Sequence, residues 1–95
     1  MHIRKTVRAD EDLIDIYLYG SQHFGLASAE NYFNDIHQAF LFLAENPLVA
    51  PEQKAFIPPV RIHRHARHLI IYQIENDSLL IVRVLHHRMD VWRHL

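Results

Sequence analysis

The segment from Leu79 to Asp90, LLIVRVLHHRMD, most strongly constrains how this chain can fold. Its first seven residues are apolar apart from Arg83, which is typical of a strand buried inside a sheet. The segment then changes abruptly to His86, His87 and Arg88. A fold that buries the run must therefore bring titratable and cationic side chains together at one end of a strand.

A second apolar run, from Leu69 to Ile74, predicts the partner of the first run in a β-hairpin. The intervening Asn76-Asp77 pair suits a two-residue turn, which sets the register, whereas a three-residue loop would shift it and reassign both faces. One face then pairs Ile74 with Leu79, Tyr72 with Ile81, Ile70 with Arg83 and His68 with Leu85. The other face pairs Gln73 with Leu80, Ile71 with Val82, Leu69 with Val84 and Arg67 with His86. Both faces are largely apolar, so each is expected to need a cover.

Two amphipathic helices are predicted ahead of the hairpin. Weak alternation over residues 2–7 predicts a short strand, and Asp10 is expected to be the N-cap of a first helix that ends at Gly25. A second helix is predicted from Ser28 to Asn46. Its apolar stripe consists of Ala29, Tyr32, Phe33, Ile36, Phe40 and Leu43. The short link between the two helices predicts an antiparallel helical hairpin.

The predicted fold is a single α+β domain over residues 1–95, with the order β-α-α-β-β-β. Val60 begins the first of the three later strands, and the helical hairpin is expected to cover one face of an antiparallel sheet. After the last strand only Arg88 to Leu95 remains, which is too short to cover the second face. A partner protein is therefore expected to cover it.

Charge is unevenly distributed, although the net charge is only -1. Residues 1–50 hold three Lys and Arg against seven Asp and Glu, whereas residues 51–95 hold seven against four and six of the nine histidines. The second half is thus predicted to form an anion-facing surface. The chain nevertheless lacks the basic surplus of a dedicated nucleic-acid-binding protein.

Several classes of protein are disfavoured by the sequence. The absence of cysteine excludes a disulfide framework and thiol catalysis. Neither a signal peptide nor a bilayer-spanning run is evident, so a cytoplasmic location without membrane contact is expected. No glycine-rich nucleotide signature occurs, and His68 has the opposite strand parity to His63 and His65. Neither a cofactor nor a functional metal site is therefore expected.

The histidine pair raises the question of catalysis. A metal-free ribonuclease could use His86 as acid or base, with Arg61 and Arg83 stabilising the phosphorane-like state. The alternative is that a strand that reaches solvent simply ends in polar residues.

Several motifs together resemble the ParE branch of the RelE/ParE toxin superfamily. They are Ala9-x-x-Asp12-Leu13-x-x-Ile16, Gly25-x-x-x-Ala29-x-x-Tyr32, Phe40-x-x-Leu43-Ala44-x-x-Pro47, Val60-Arg61, Arg67 to Tyr72, and Ile81 to Asp90. The resemblance covers nearly the whole chain, and its most specific parts are the last two.

This resemblance implies a type II toxin that poisons DNA gyrase and has no hydrolytic activity. Such toxins serve plasmid or chromosome maintenance. The implied partner is a ParD-like ribbon-helix-helix antitoxin in a toxin–antitoxin hetero-oligomer, so DNA is met only through the antitoxin or gyrase. The expected target-binding residues are Arg61, Arg67, Arg83, His86 and Arg88. The expected antitoxin-binding residues are Ile70, Tyr72, Ile74, Leu79, Ile81 and Trp92.

Two alternatives stay open within the superfamily. One is a ribosome-dependent mRNA endoribonuclease of the RelE type, for which His86, Arg61 and Arg83 are the candidate catalytic residues. No tyrosine follows Tyr72, however, and the only lysines are Lys5 and Lys54. A non-enzymatic toxin is therefore preferred. The other alternative is a non-toxic relative that keeps only antitoxin binding.

Overall fold

The computed structural model describes all residues from Met1 to Leu95. The chain folds into three helices and five strands. In order they are β1 (His2–Lys5), α1 (Val7–Phe24), α2 (Leu26–Glu45), β2 (Glu52–Gln53), β3 (Val60–His65), β4 (His68–Glu75), β5 (Ser78–His86) and α3 (Val91–His94). The predicted α+β fold and element order are confirmed, with the short β2 and α3 as additions. None of the helices combines the length and apolarity that crossing a bilayer requires.

The five strands form one sheet in the order β1-β5-β4-β3-β2. The strands from β2 to β5 are antiparallel to their neighbours, as predicted, but β1 runs parallel to β5. Most of the chain lies between these two strands, so no tight turn forces them to be antiparallel.

The first helix begins earlier than predicted. Thr6, not Asp10, is its N-cap, because Thr6 Oγ1 accepts a hydrogen bond from the Ala9 amide at 3.0 Å. Asp10 lies in the first turn and pairs with Lys5 at 3.0 Å. The second helix likewise begins at Leu26, directly after Gly25, whose φ of 90° is readily adopted only by glycine.

The hairpin register is as predicted near the turn and shifted beyond it. The pairs Ile74–Leu79, Gln73–Leu80 and Tyr72–Ile81 form as expected. A bulge after Ile81 then leaves Val82 unpaired. The four pairs beyond the bulge are Ile71–Arg83, Ile70–Val84, Leu69–Leu85 and His68–His86. They replace the predicted pairs Ile71–Val82, Ile70–Arg83, Leu69–Val84, His68–Leu85 and Arg67–His86.

The helical hairpin covers one side of the sheet, which we call the helix face. The main core lies here. The buried side chains of the helix face are Ile70, Tyr72, Leu79, Ile81 and Val84, and the helices contribute Ala9, Leu13, Ile36, Phe40 and Leu43.

The opposite side, the far face, has a smaller core of Val60, Ile71 and Leu85. Phe56 from the β2–β3 loop and Val91 from α3 pack against this core. The rings of Phe56 and Trp92 stack at 4.2 Å between centroids. The chain therefore covers part of this face itself, contrary to the expectation that a partner must supply the whole cover.

The edge of β5 is closed beyond the end of β1. The Thr6 amide donates to the Ile81 carbonyl at 3.0 Å, and Thr6 Oγ1 donates to the Val82 carbonyl at 2.7 Å. The Val84 amide donates to Asp12 Oδ2 at 3.0 Å. Thr6 and Asp12 thus form hydrogen bonds with backbone groups of β5 that would otherwise be exposed.

Candidate functional site

One end of the sheet gathers cationic and histidine side chains. We call it the basic end and define it by Arg64, Arg67, His86, His87 and Arg88. The β3–β4 turn meets the end of β5 here, because the His87 amide donates to the Arg67 carbonyl at 2.8 Å. Three of the predicted target-binding residues (Arg67, His86 and Arg88) therefore lie together.

Arg83 does not belong to this surface, and its assignment to target binding is corrected. It is only 8% exposed, and its Nε and Nη2 donate to the two Asp12 carboxylate oxygens at 2.8 and 2.9 Å. Its Nη1 donates to the His94 carbonyl at 2.8 Å. The hydrogen bonds with Asp12 raise the pKa of the guanidinium. Arg83 thus joins α1, β5 and α3.

Arg61 also lies apart from the basic end. It pairs with Tyr72, whereas His86 pairs with His68, which is four residues away along β4. At about 3.3 Å per residue the separation along the strand is about 13 Å. Arg61 Nη1 donates to the Ala50 carbonyl at 2.7 Å. The candidate ribonuclease set of His86, Arg61 and Arg83 is therefore not assembled.

A cavity of about 600 Å³ opens beside the basic end, between the helical hairpin and the sheet. The aromatic, cationic and histidine side chains in its wall are Tyr19, Phe24, Tyr32, Arg67, His68 and His86. The carboxylate of Asp15 also lines it. The guanidinium of Arg67 lies over the Phe24 ring, 5.0 Å from its centroid.

Tyr32 and His68 form a pair in this wall that the sequence analysis missed. Tyr32 Oη lies 2.6 Å from His68 Nδ1, and the Arg67 amide donates to the same Oη at 3.3 Å. Tyr32 is part of the apolar stripe of α2, so its spacing predicts only that its ring packs in the core. Its hydroxyl group could have indicated a polar contact, because a half-buried tyrosine usually has a hydrogen-bond partner.

Burial, together with the smaller effect of the positive charge of His86, Arg67, His65 and His87, lowers the pKa of His68 from 6.5 to about 4. We therefore expect the free energy of unfolding to fall by roughly 2 kcal/mol from this site as the pH drops from 6.5 to about 4. The sign follows because the unfolded chain binds a proton in this range and the folded chain does not.

Urea denaturation of the wild type and of His68→Gln across this range measures the effect. The glutamine can still accept from Tyr32 but does not titrate, so the variant should lose less stability on acidification. Burial also lowers the pKa of His63. The effect of His63 on the pH dependence of stability is present in both proteins and cancels in the difference between them. Parallel curves for the two proteins would contradict the prediction.

The predicted antitoxin-binding residues are divided between core and surface. Ile70, Tyr72, Leu79 and Ile81 are 0% exposed, because the helical hairpin packs on the face that they share. They cannot contact a partner in this conformation, and this part of the assignment is corrected. Trp92 is 62% exposed, and Ile74 is half-buried.

Large apolar side chains outside the core were not identified from the sequence. Ile14 and Leu18 are exposed one turn apart on α1, and Leu41 is exposed on α2. Ile57, which is 96% exposed, lies near Trp92 beside the far face. Scattered apolar side chains of this kind are common on protein surfaces, so by themselves they do not define an interface.

Comparison with known proteins identifies the family. A sequence model of the ParE toxin of the type II toxin–antitoxin system, parDE, matches residues 3–91. Toxin ParE1 of Caulobacter vibrioides is 28% identical over 92 residues, which are 97% of this chain and 95% of that protein. Toxin ParE1 of Mycobacterium tuberculosis is 30% identical over 88 residues, which are 92% and 90% of the two chains.

A solved structure described as the chromosomal ParDE TA system from P. aeruginosa has the same fold. Its TM-score is 0.75 at 20% sequence identity, and the match covers 90% of this chain and 95% of that chain. The element order, the sheet and the match over residues 3–91 agree with one another. The chain belongs to the ParE toxin family of type II toxin–antitoxin systems.

Proposed function

We propose that this toxin acts by binding DNA gyrase in the cytoplasm, and that a ParD-like ribbon-helix-helix antitoxin neutralises it. Membership of the ParE family is the observation that carries the proposal. The action is binding, not bond cleavage, because the candidate catalytic set of His86, Arg61 and Arg83 is dispersed.

The basic end supplies the target-binding residues in this proposal. Arg67 and Arg88 are exposed, and neither side chain forms an ion pair. His86 lies between them, since its Nδ1 accepts from the Arg88 amide at 3.2 Å. A surface with unpaired cationic side chains is suited to an acidic protein surface or to DNA held by gyrase. Arg61 is a secondary candidate because it is half-buried and bonded to Ala50.

The antitoxin is proposed to cover exposed apolar side chains together with Ile74 and Trp92. The exposed side chains lie on both the helical hairpin and the far face, so an extended segment fits them better than one compact domain does. A segment that wraps around the toxin also explains why these side chains do not meet in one patch.

Induced expression of the chain alone in a bacterial host tests the target. We expect growth arrest with double-strand breaks and an SOS response. Purified gyrase incubated with supercoiled plasmid and the chain should yield linear DNA after denaturation of the enzyme. Arg67→Ala/Arg88→Ala should reduce this linear product at least about tenfold, because charged contacts at an interface contribute 1.4 kcal/mol or more. Arg4→Ala is the matched control, because Arg4 is an exposed arginine on β1, beside the start of β5 and away from the basic end.

Co-expression with the neighbouring small reading frame should restore growth if that frame encodes the antitoxin. Rapid mRNA cleavage on ribosomes, with the DNA intact, would show that the target is the ribosome and not gyrase. Normal growth under verified expression would instead favour a non-toxic relative that keeps only antitoxin binding.

A further inference from the structure

The cavity beside the basic end contains polar groups that are not used within the chain. His68 Nδ1 is occupied by Tyr32, and His86 Nδ1 by the Arg88 amide, but neither Nε2 forms a hydrogen bond in the chain. No buried side-chain nitrogen or oxygen lacks a partner, so both Nε2 atoms must be accessible to solvent. Both residues line the cavity, and the unpaired guanidinium of Arg67 completes a group of three.

The hydrogen-bond pattern indicates which atoms carry protons. Tyr32 Oη accepts from the Arg67 amide, so its own proton is free to be donated to His68 Nδ1. A neutral His68 then carries its proton on Nε2. His86 Nδ1 likewise accepts from an amide, which leaves the proton of its neutral ring on Nε2. All three groups are therefore hydrogen-bond donors, and an acceptor that enters the cavity can bind them in place of water.

The rest of the wall limits what this acceptor can be. Tyr19, Phe24 and Ile16 provide apolar surface, so the ligand needs an apolar portion next to its acceptor. The carboxylate of Asp15 offsets the charge of Arg67, and it disfavours a dianion such as a phosphate monoester. A single carboxylate attached to an apolar portion satisfies both conditions.

We propose that this cavity binds a carboxylate side chain, together with an adjacent large apolar residue, from the antitoxin. This inference rests on the proposed antitoxin partnership and names the chemistry of one anchor within it. Arg67 and the two Nε2 donors bind the carboxylate, and the aromatic wall receives the apolar neighbour. Because Arg67 and His86 also belong to the basic end, the anchor covers part of the target-binding surface. The antitoxin then neutralises the toxin by direct competition for these residues.

Affinity measurements on the complex with the product of the neighbouring small reading frame test the anchor. We expect Arg67→Gln and His86→Phe each to weaken the complex about tenfold, since the first removes the charge of the donor and the second keeps a ring but removes the donor itself. Arg4→Gln is the control and should leave the dissociation constant unchanged. One Asp or Glu of the antitoxin, changed to its amide, should give a loss that does not add to that of Arg67→Gln.

The two levels of the proposal fail in different ways. If no complex forms with wild-type toxin, the proposed antitoxin partnership is wrong. If the complex forms but Arg67→Gln and His86→Phe bind as tightly as Arg4→Gln, the cavity is not the anchor site and the partnership stands.

A measurement without the antitoxin checks the ligand chemistry separately. NMR spectra of the isolated chain should show saturable shifts at Arg67, His68 and His86 on addition of 3-phenylpropionate. The neutral 3-phenylpropanamide should bind at least about tenfold more weakly. Equal binding of the amide, tighter binding of phenyl phosphate, or shifts confined to other residues would each overturn the assignment of a carboxylate.

Discussion

Asp12→Ala is expected to lower the free energy of unfolding by about 3 to 5 kcal/mol, because it leaves the buried charge of Arg83 without a counter-charge. The side chains of the pair are only 12% and 9% exposed, so water cannot replace the lost partner fully. The substitution also removes the acceptor of the Val84 amide. Urea denaturation followed by circular dichroism measures the change.

A matched control and a double variant isolate the cause. Asp10→Ala removes a carboxylate two residues earlier in α1 whose partner, Lys5, is exposed, and it should cost less than about 1 kcal/mol. Asp12→Leu/Arg83→Met replaces both charges by apolar groups and should recover much of the loss. Equal stability of Asp12→Ala and Asp10→Ala would show that Arg83 does not depend on Asp12.

Ile81→Ala is expected to cost about 2 to 5 kcal/mol of stability, because Ile81 is fully enclosed between the sheet and the helical hairpin. Thermal and urea denaturation measure this loss. The result separates two interpretations of the residue. A core residue affects folding, whereas a residue that faces a partner affects mainly the affinity of the complex.

Leu18→Ala is the control for this prediction. Leu18 is 50% exposed on α1, so its truncation should change the stability by about 0.5 kcal/mol or less. If Ile81→Ala is as stable as the wild type but binds the antitoxin more weakly, Ile81 belongs to the antitoxin interface and not to the core.

The sequence was sufficient for elements whose signals are local. The stripe from Ala29 to Leu43 predicted α2, and the Asn76-Asp77 turn predicted the hairpin with its first three pairs. The bulge at Val82 was not predictable in this way. At the bulge, the Val82 carbonyl accepts a hydrogen bond from Thr6, which is 76 residues away in sequence. The residues next to Val82 in the sequence do not indicate this contact.

The positions of the candidate functional residues were likewise predictable only where the signal is local. Arg67, His86 and Arg88 were identified correctly as neighbours because they lie at the ends of adjacent strands. Asp12 lies with Asp10 and Glu11 near a helix start, where acidic residues usually stabilise the helix dipole, so no local pattern indicates a distant partner for it. The partner of Asp12, Arg83, could be identified only from the shifted register. Ile70 and Ile81 share one face in both registers, and they are core residues because the helical hairpin covers that face.

The closed edge of β5 determines how this sheet can meet other chains. A strand from another molecule cannot pair with β5 past the end of β1, because Thr6 and Asp12 already bind the β5 backbone groups there. On the other side, β2 covers only Val60 and Arg61, so the backbone of Ile62 to His65 is the open edge. This stretch carries Arg64 and two histidines, and such charged edges resist uncontrolled strand addition. Charge on this edge thereby disfavours strand pairing between copies of a chain that exposes many apolar side chains.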